Sequence, residues 1–162
     1  MDAQVLEKVL QSFSRYYNIK KEGVSFPFDA EAEFHAHGEQ YFLTKAAKIS
    51  EINSNEYVYF SLTDRLDSEK INFLSEKAWS SGLGKVIPSF THRNSDVTLV
   101  ILSENIEREV FKKIKKIKYY KSYCFGLKGW SNFKLIAAEL SSGQLAYNRF
   151  GADLKKTLYN II

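Results

Sequence analysis

The chain has a single cysteine among its 162 residues. Cys124 therefore excludes an internal disulfide and every zinc motif built from paired cysteines. Two prolines and eight glycines are too few for a linker-rich or disordered chain. No apolar run comes near the roughly 20 residues that a membrane-spanning helix needs. Met1 to Tyr17 alternates apolar with charged residues, which is not the pattern of a signal peptide. There is no glycine-rich phosphate loop, because Gly82-Leu83-Gly84-Lys85 lacks the spacing of either nucleotide fingerprint. No serine sits in a nucleophile elbow. These absences predict a cytoplasmic protein with no membrane partner, and remove the common nucleotide-dependent and serine-nucleophile enzymes.

What is present suffices for a core in one α+β domain spanning residues 1–162: 44% of residues are hydrophobic, with twelve Phe and ten Tyr. The net charge of +4 conceals a division. Residues 1–104 carry 11 basic and 15 acidic side chains, whereas residues 105–162 carry 12 basic and 4 acidic. The second part suits an anionic partner, or the acidic part of a second copy in a homodimer.

Leu6, Val9, Leu10, Phe13 and Tyr17 recur at helical spacing and predict an amphipathic helix over 3–17. A hairpin comes next, formed by residues 29–37, a Gly38-Glu39 turn and a returning strand from Tyr41 to Lys48. A two-residue turn sets Glu33 opposite Thr44; a three-residue loop sets it opposite Lys45. Asn53-Ser54-Asn55 reads as a turn and Tyr57 to Leu62 as a strand covered on both faces. Thr63, Asp64 and Asp67 offer caps to a helix over 66–81, with Leu66, Ile71, Leu74 and Ala78 inward. Lys85 to Phe90 is an optional short strand, Arg93 to Asp96 a turn, and Val97 to Leu102 the central strand. Ser103 caps a helix over 104–118 whose inner stripe is Ile106, Val110, Ile114 and Ile117. Strands at Tyr123 to Lys128, Phe133 to Leu140 and Leu145 to Arg149 precede a last helix from Gly151. The order is helix, three strands, helix, one or two strands, helix, three strands, helix. Hairpins separated by helices make this an α+β fold with a largely antiparallel or mixed sheet flanked by helices.

Two groups of residues carry the candidate chemistry. On the strand 29–37, Asp29, Glu31, Glu33, His35 and His37 share one face, and Ala30, Ala32, Phe34 and Ala36 the other. The simplest reading of that row is the wet face of an antiparallel sheet. As a site, Glu31, Glu33 and His35 are the catalytic candidates, and Glu33, His35 and His37 the metal ligands. Same-face neighbours stand roughly 6.6 Å apart, so a divalent metal needs a third ligand from another strand. No other cofactor is expected.

The second group is Lys112, Lys113, Lys115, Lys116, Lys118 and Lys121, with no acid among them and Tyr119, Tyr120 and Tyr123 alongside. Lysines that neutralise phosphates beside aromatic platforms hold nucleic acid without reading sequence. The same lysines also suit the carboxyl end of a helix dipole. Cys124 reads as a buried small hydrophobe, His92 as an exposed turn residue, and Trp79 and Trp130 as core.

The order of elements over residues 3–102 resembles the core of restriction-endonuclease-like enzymes. That family places an Asp on the second strand and Glu-x-Lys on the third. Here Tyr41 to Lys48 has no acid, and Glu56-Tyr57-Val58 has Val where the Lys belongs. A broader resemblance rests on Phe28 to His35, Glu39 to Lys48, Asn55 to Phe60 and the ending Tyr147-Asn148-Arg149-Phe150-Gly151. Together these stretches resemble short uncharacterised bacterial proteins of the domain-of-unknown-function kind. That resemblance implies no activity and carries over no functional residue. The sequence thus predicts a binding or interaction module for an anionic partner through a lysine-rich helix. The alternative is a metal-dependent hydrolase or restriction-endonuclease-like nuclease on the acidic, histidine-bearing strand.

Overall fold

The computed structural model describes residues 3–36 and 53–162. Its centre is the apolar run around Val97. Strand β4 (His92–Ile106) lies between β3 (Asn53–Leu66) and β6 (Trp130–Glu139), parallel to both. Parallel strands covered on both faces are near-continuous in apolar residues, as Val97 to Leu102 is. Helix α2 (Ser68–Leu83) connects β3 to β4, and α3 (Arg108–Lys116) leads from β4 towards β6. Both pack on one face of the sheet, where Ile71, Leu74, Ala78, Val110 and Ile114 meet Tyr59, Leu99 and Leu135. Helices α1 (Ala3–Phe13) and α4 (Lys155–Tyr159) cover the other face.

Strand β2 (Ala30–Ala36) pairs antiparallel with β3 and, on its other side, with the short β1 (Asn18–Lys20). Its alanines explain how α1 docks: Ala30 and Ala32 are small enough for Val9, Leu10 and Phe13 to close over them. Burying those three side chains contributes roughly 5–9 kcal/mol. That exceeds what an isolated 11-residue helix could supply for itself.

The mixed seven-stranded sheet makes the fold α+β, and its element order matches the expected one. Several local expectations are corrected. The first helix ends at Phe13, and Asn18–Lys20 is already strand. Glu33 stands between Asn18 and Tyr57 rather than opposite Thr44 or Lys45. The Gly38-Glu39 turn and the strand Tyr41 to Lys48 lie outside the described residues. Asn53-Ser54-Asn55 and Arg93 to Asp96 open strands instead of forming turns, because each adds ladder bonds to its parallel neighbour. Residues 85–90 form no strand. Asp67 is the cap of α2, accepting from the Lys70 amide. Ser103 stays in β4, and α3 begins five residues later behind Glu107. The expected strand at Tyr123 to Lys128 is β5 (Tyr120–Ser122) followed by a tight turn.

The free edge of β6 is shared. Its first residues pair with β5 and its last with β7 (Gln144–Tyr147). Asn148 fills the gap between them. Its Oδ1 accepts from the amides of Leu135 (3.0 Å) and Gly151 (2.8 Å), and its Nδ2 donates to the carbonyls of Phe133 (2.9 Å) and Ile117 (3.1 Å). Gly151 has to be glycine, since a Cβ there would run into the Leu135 backbone. Replacing Asn148 by Leu orphans four backbone groups at once, three of them buried. N148L is expected to lose at least about 3 kcal/mol in urea unfolding. A loss below about 1 kcal/mol would show that the gap closes without this side chain.

Candidate functional site

The acidic row on β2 does not face open solvent. Side chains at 31, 33 and 35 point to the α2 side of the sheet, where Lys85, just beyond the helix end, reaches back to meet them. Lys85 Nζ lies 2.8 Å from Glu33 Oε1 and 3.3 Å from Glu31 Oε2. It also sits 5.6 and 5.5 Å from the ring centres of Tyr57 and Tyr59. Glu31 is only 3% exposed, and its other oxygen accepts from the Ser25 amide at 2.6 Å. The wet-face reading fails at Glu31 because the end of α2 covers it.

From Glu33 the bonding continues across three strands. Glu33 Oε2 meets His35 Nε2 (3.1 Å), and His35 Nδ1 meets Asn55 Oδ1 (2.8 Å). Asn55 Nδ2 donates to Ser95 Oγ (3.3 Å), which lies 2.7 Å from His92 Nε2. His92 Nδ1 is 2.7 Å from the Lys128 carbonyl. A carbonyl only accepts, so Nδ1 carries a proton and donates. The chain thus runs from the Ser25 amide to the Lys128 carbonyl and ties β2, β3, β4 and the turn before β6 together.

Burial acts against charge on these groups, and partners overcome it. Burial pushes the Glu31 carboxyl up, but the Ser25 amide and Lys85 hold it below its ordinary 4.5. Burial likewise raises Glu33, while bonds from Lys85 and His35 bring it below 4.5. Burial lowers Lys85, yet the Glu33 and Glu31 carboxylates leave it raised. Burial pushes the Tyr59 hydroxyl up to about 12, so it stays neutral.

A cleft of about 290 Å³ opens beside this chain, lined by His35, Asn55, Tyr57, Lys85, Ile87, Ser89 and His92. Ser95, His92 and the Lys128 carbonyl follow the order of nucleophile, base and orienting group. Ser95 is 0% exposed, however, so its hydroxyl is out of reach of a substrate. The ammonium of Lys85 occupies the place between Glu31 and Glu33 that a cation would take. Among the described residues, no group of three or more His, Cys, Asp or Glu side chains could hold a metal ion. Asp29 precedes β2, is exposed, and accepts from the Leu62 amide. His37 lies outside the described residues.

A second polar cluster sits on the opposite face. Glu56 accepts from the Tyr17 and Thr98 hydroxyls, and Lys134 lies 3.8 Å from Glu56, 3.4 Å from Asp96 and 3.9 Å from Asp153. Burial and the charge of Glu56 raise the Tyr17 hydroxyl. The third-strand acid of the nuclease pattern is therefore on the other side of the sheet from Glu31 and Glu33.

The lysines are split between elements. Lys112, Lys115 and Lys116 are exposed on α3, while Lys113 is half-buried and donates to the Ser68 carbonyl (3.2 Å). Lys118 lies beyond the helix and Lys121 on β5, both exposed. Lys121 Nζ sits 5.5 Å from the ring centre of Tyr123. Ile106 belongs to β4 rather than to the helix, although Val110 and Ile114 are buried as expected. Cys124 is exposed on a turn and His92 is buried, each the reverse of the expectation. Trp79 stacks on Tyr119 against the core, whereas Trp130 is half-buried and outside it.

The sequence reading missed Lys85, His92 and Lys134. Lys134 had a signal: it is the lone charge within the apolar strand Phe133 to Ala138. Lys85 had none, since its partner Glu33 lies 52 residues away; His92 has Ser95 three residues on, but the Lys128 carbonyl that orients its ring lies 36 residues away.

The chain belongs to the family described as Domain of unknown function (DUF8052), whose model matches residues 1–160. No curated protein and no solved structure matches it. Among the described residues, no helix is long and apolar enough to cross a membrane.

Removing Lys85 isolates two carboxylates, one of them buried. Lys85→Met is expected to cost about 2–3 kcal/mol at pH 7, less than a fully buried pair because Lys85 and Glu33 are about one-third exposed. The lowered carboxyl pKa values contribute stability above pH 4.5 that is lost as pH falls through them. The gap between K85M and wild type therefore narrows in acid. Unfolding curves at pH 7 and pH 4 check this; a gap independent of pH would assign the loss to packing.

Proposed function

We propose that this domain is an interaction module that binds a polyanion, with nucleic acid as the partner of matching chemistry. The carrying observation is a charge imbalance confined to one edge. Residues 108–128 hold eight basic side chains and one acid, Glu109. Among the described residues, no ion pair involves Lys112, Lys115, Lys116, Lys118 or Lys121. By contrast, the two lysines set into the faces of the sheet are neutralised: Lys85 by Glu31 and Glu33, Lys134 by Glu56, Asp96 and Asp153. An unneutralised row gains most from a partner that releases counterions on binding. This reading sets the protein in the cytoplasm, where a lone exposed thiol such as Cys124 stays reduced. The acidic part of a second copy offers the same chemistry, and a homodimer would compete for the same lysines.

Five lysines on phosphates give a slope of log affinity against log salt of about −3.5 for a single strand. Affinity for RNA, DNA or heparin should thus fall about 100-fold between 50 and 200 mM salt. A triple change of Lys115, Lys116 and Lys118 to Gln should weaken binding at least about tenfold, with the thermal midpoint lowered only slightly by the lost helix-dipole contacts. Absence of any retention on these polyanions at low salt would reject the reading. A salt-sensitive dimer in sedimentation would favour self-association instead.

A further inference from the structure

Building on that polyanion reading, we infer that the β5–β6 hairpin is a finger for single-stranded nucleic acid, whose unpaired bases stack on Tyr120, Phe125 and Trp130. The hairpin register sets Tyr120 opposite Asn132 and Ser122 opposite Trp130. Residues opposite each other share a face, so Tyr120 and Trp130 are diagonal neighbours on one side of the sheet. That side is the reverse of the one on which Phe133 is buried. Tyr120 is 58% exposed and Trp130 is half-buried. Phe125 stands at the tip of the hairpin, fully exposed.

The tip does not leave Phe125 outward by default. Cys124 and Phe125 both have positive φ, 49° and 55°, a region that residues other than glycine rarely adopt. The turn is nonetheless closed by its own amides: Tyr123 donates to the Gly129 carbonyl (2.9 Å), Gly126 to that of Tyr123 (3.0 Å) and Leu127 to that of Cys124 (3.0 Å). His92 holds it from below through the Lys128 carbonyl. Lys118 precedes Tyr120, Lys121 follows it on β5 with its Nζ over the Tyr123 ring, and Lys128 lies between Phe125 and Trp130 with its Nζ over the Phe90 ring, so cations flank the hairpin for phosphate contacts. Bases stacked on a sheet face and flanked by cations is a mode open to single strands alone, since a duplex hides its base faces. A lipid surface meeting Phe125 and Leu127 at the tip would leave Tyr120 and Trp130 unused; an oligonucleotide lying along the hairpin reaches all three rings.

The test compares a labelled 12-nucleotide single strand, the duplex of the same sequence, heparin, and vesicles of anionic lipid. Wild type should bind the single strand about tenfold or more tighter than the duplex. Phe125→Ala, at a position that packs on nothing, should weaken the single strand about tenfold and leave heparin unchanged. Phe125→Trp should restore binding, and its fluorescence should be quenched by the oligonucleotide and not by heparin. Equal affinity for single strand and duplex, with F125A indifferent, would overturn the finger while leaving the polyanion reading intact. Failure to bind any polyanion at low salt would overturn both. Vesicle binding without oligonucleotide binding, lost in F125A, would assign the tip to lipid and overturn this inference.

Discussion

One side chain allows β6 to serve two partners on the same edge. A strand that changes neighbours along its length leaves amides and carbonyls unpaired at the change, and buried unpaired groups are costly. Asn148 supplies two acceptor and two donor contacts at that position, two of them to β6 itself. With the gap closed, β7 can seal the end of the sheet near α4 while β5 turns outward at the start of β6. Without this arrangement there would be no projecting hairpin, and the lysines after α3 would have no strand to continue on.

Charge is distributed by the same architecture. The two faces of the sheet each hold a partly buried lysine among carboxylates, Lys85 on the α2 side and Lys134 on the α1 side. In each case burial disfavours the ammonium and the carboxylates restore it. Buried pairs of this kind do little for net stability but strongly penalise other registers, because a slipped strand would leave a charge alone in the interior. Four acids of the first part of the chain, Glu31, Glu33, Glu56 and Asp96, are held in these two clusters. Most of the basic excess of the second part falls in residues 108–128, on α3 and the β5–β6 hairpin.

How far this was legible in the sequence depended on range. The alternation on β2 was readable because a strand's period is local, and Ala30 and Ala32 face the core as their size suggested. Val97 to Leu102 was readable as the centre because buried parallel strands need unbroken apolar runs. The lysine row was readable as composition, though not as geometry: the helix ends at Lys116, Lys118 lies past that end, and Lys121 belongs to β5. Glu31 was misread as wet because its cover comes from Lys85, 54 residues away. The ending Tyr147 to Gly151 stood out by resemblance alone. Its physical reason, an amide side chain in a strand gap and a glycine against Leu135, exists only once β6 and β7 have met.

The hydrogen-bond chain from Ser25 to Lys128 bears on both the cleft and the hairpin. It links strands through partners within the protein, as a strut does. Its last link ends beneath the turn that carries Phe125. Two consecutive left-handed residues cost on the order of 1–3 kcal/mol each and persist only where the surroundings fix them. Gly129 fits that requirement, since a Cβ there would collide with His92 and the Arg93 carbonyl. A ring held outward by a rigid turn loses little freedom when a partner arrives, so more of its contact energy appears as affinity. The buried polar chain and the exposed aromatic thus belong to one device, in which the interior fixes the shape of the surface that binds.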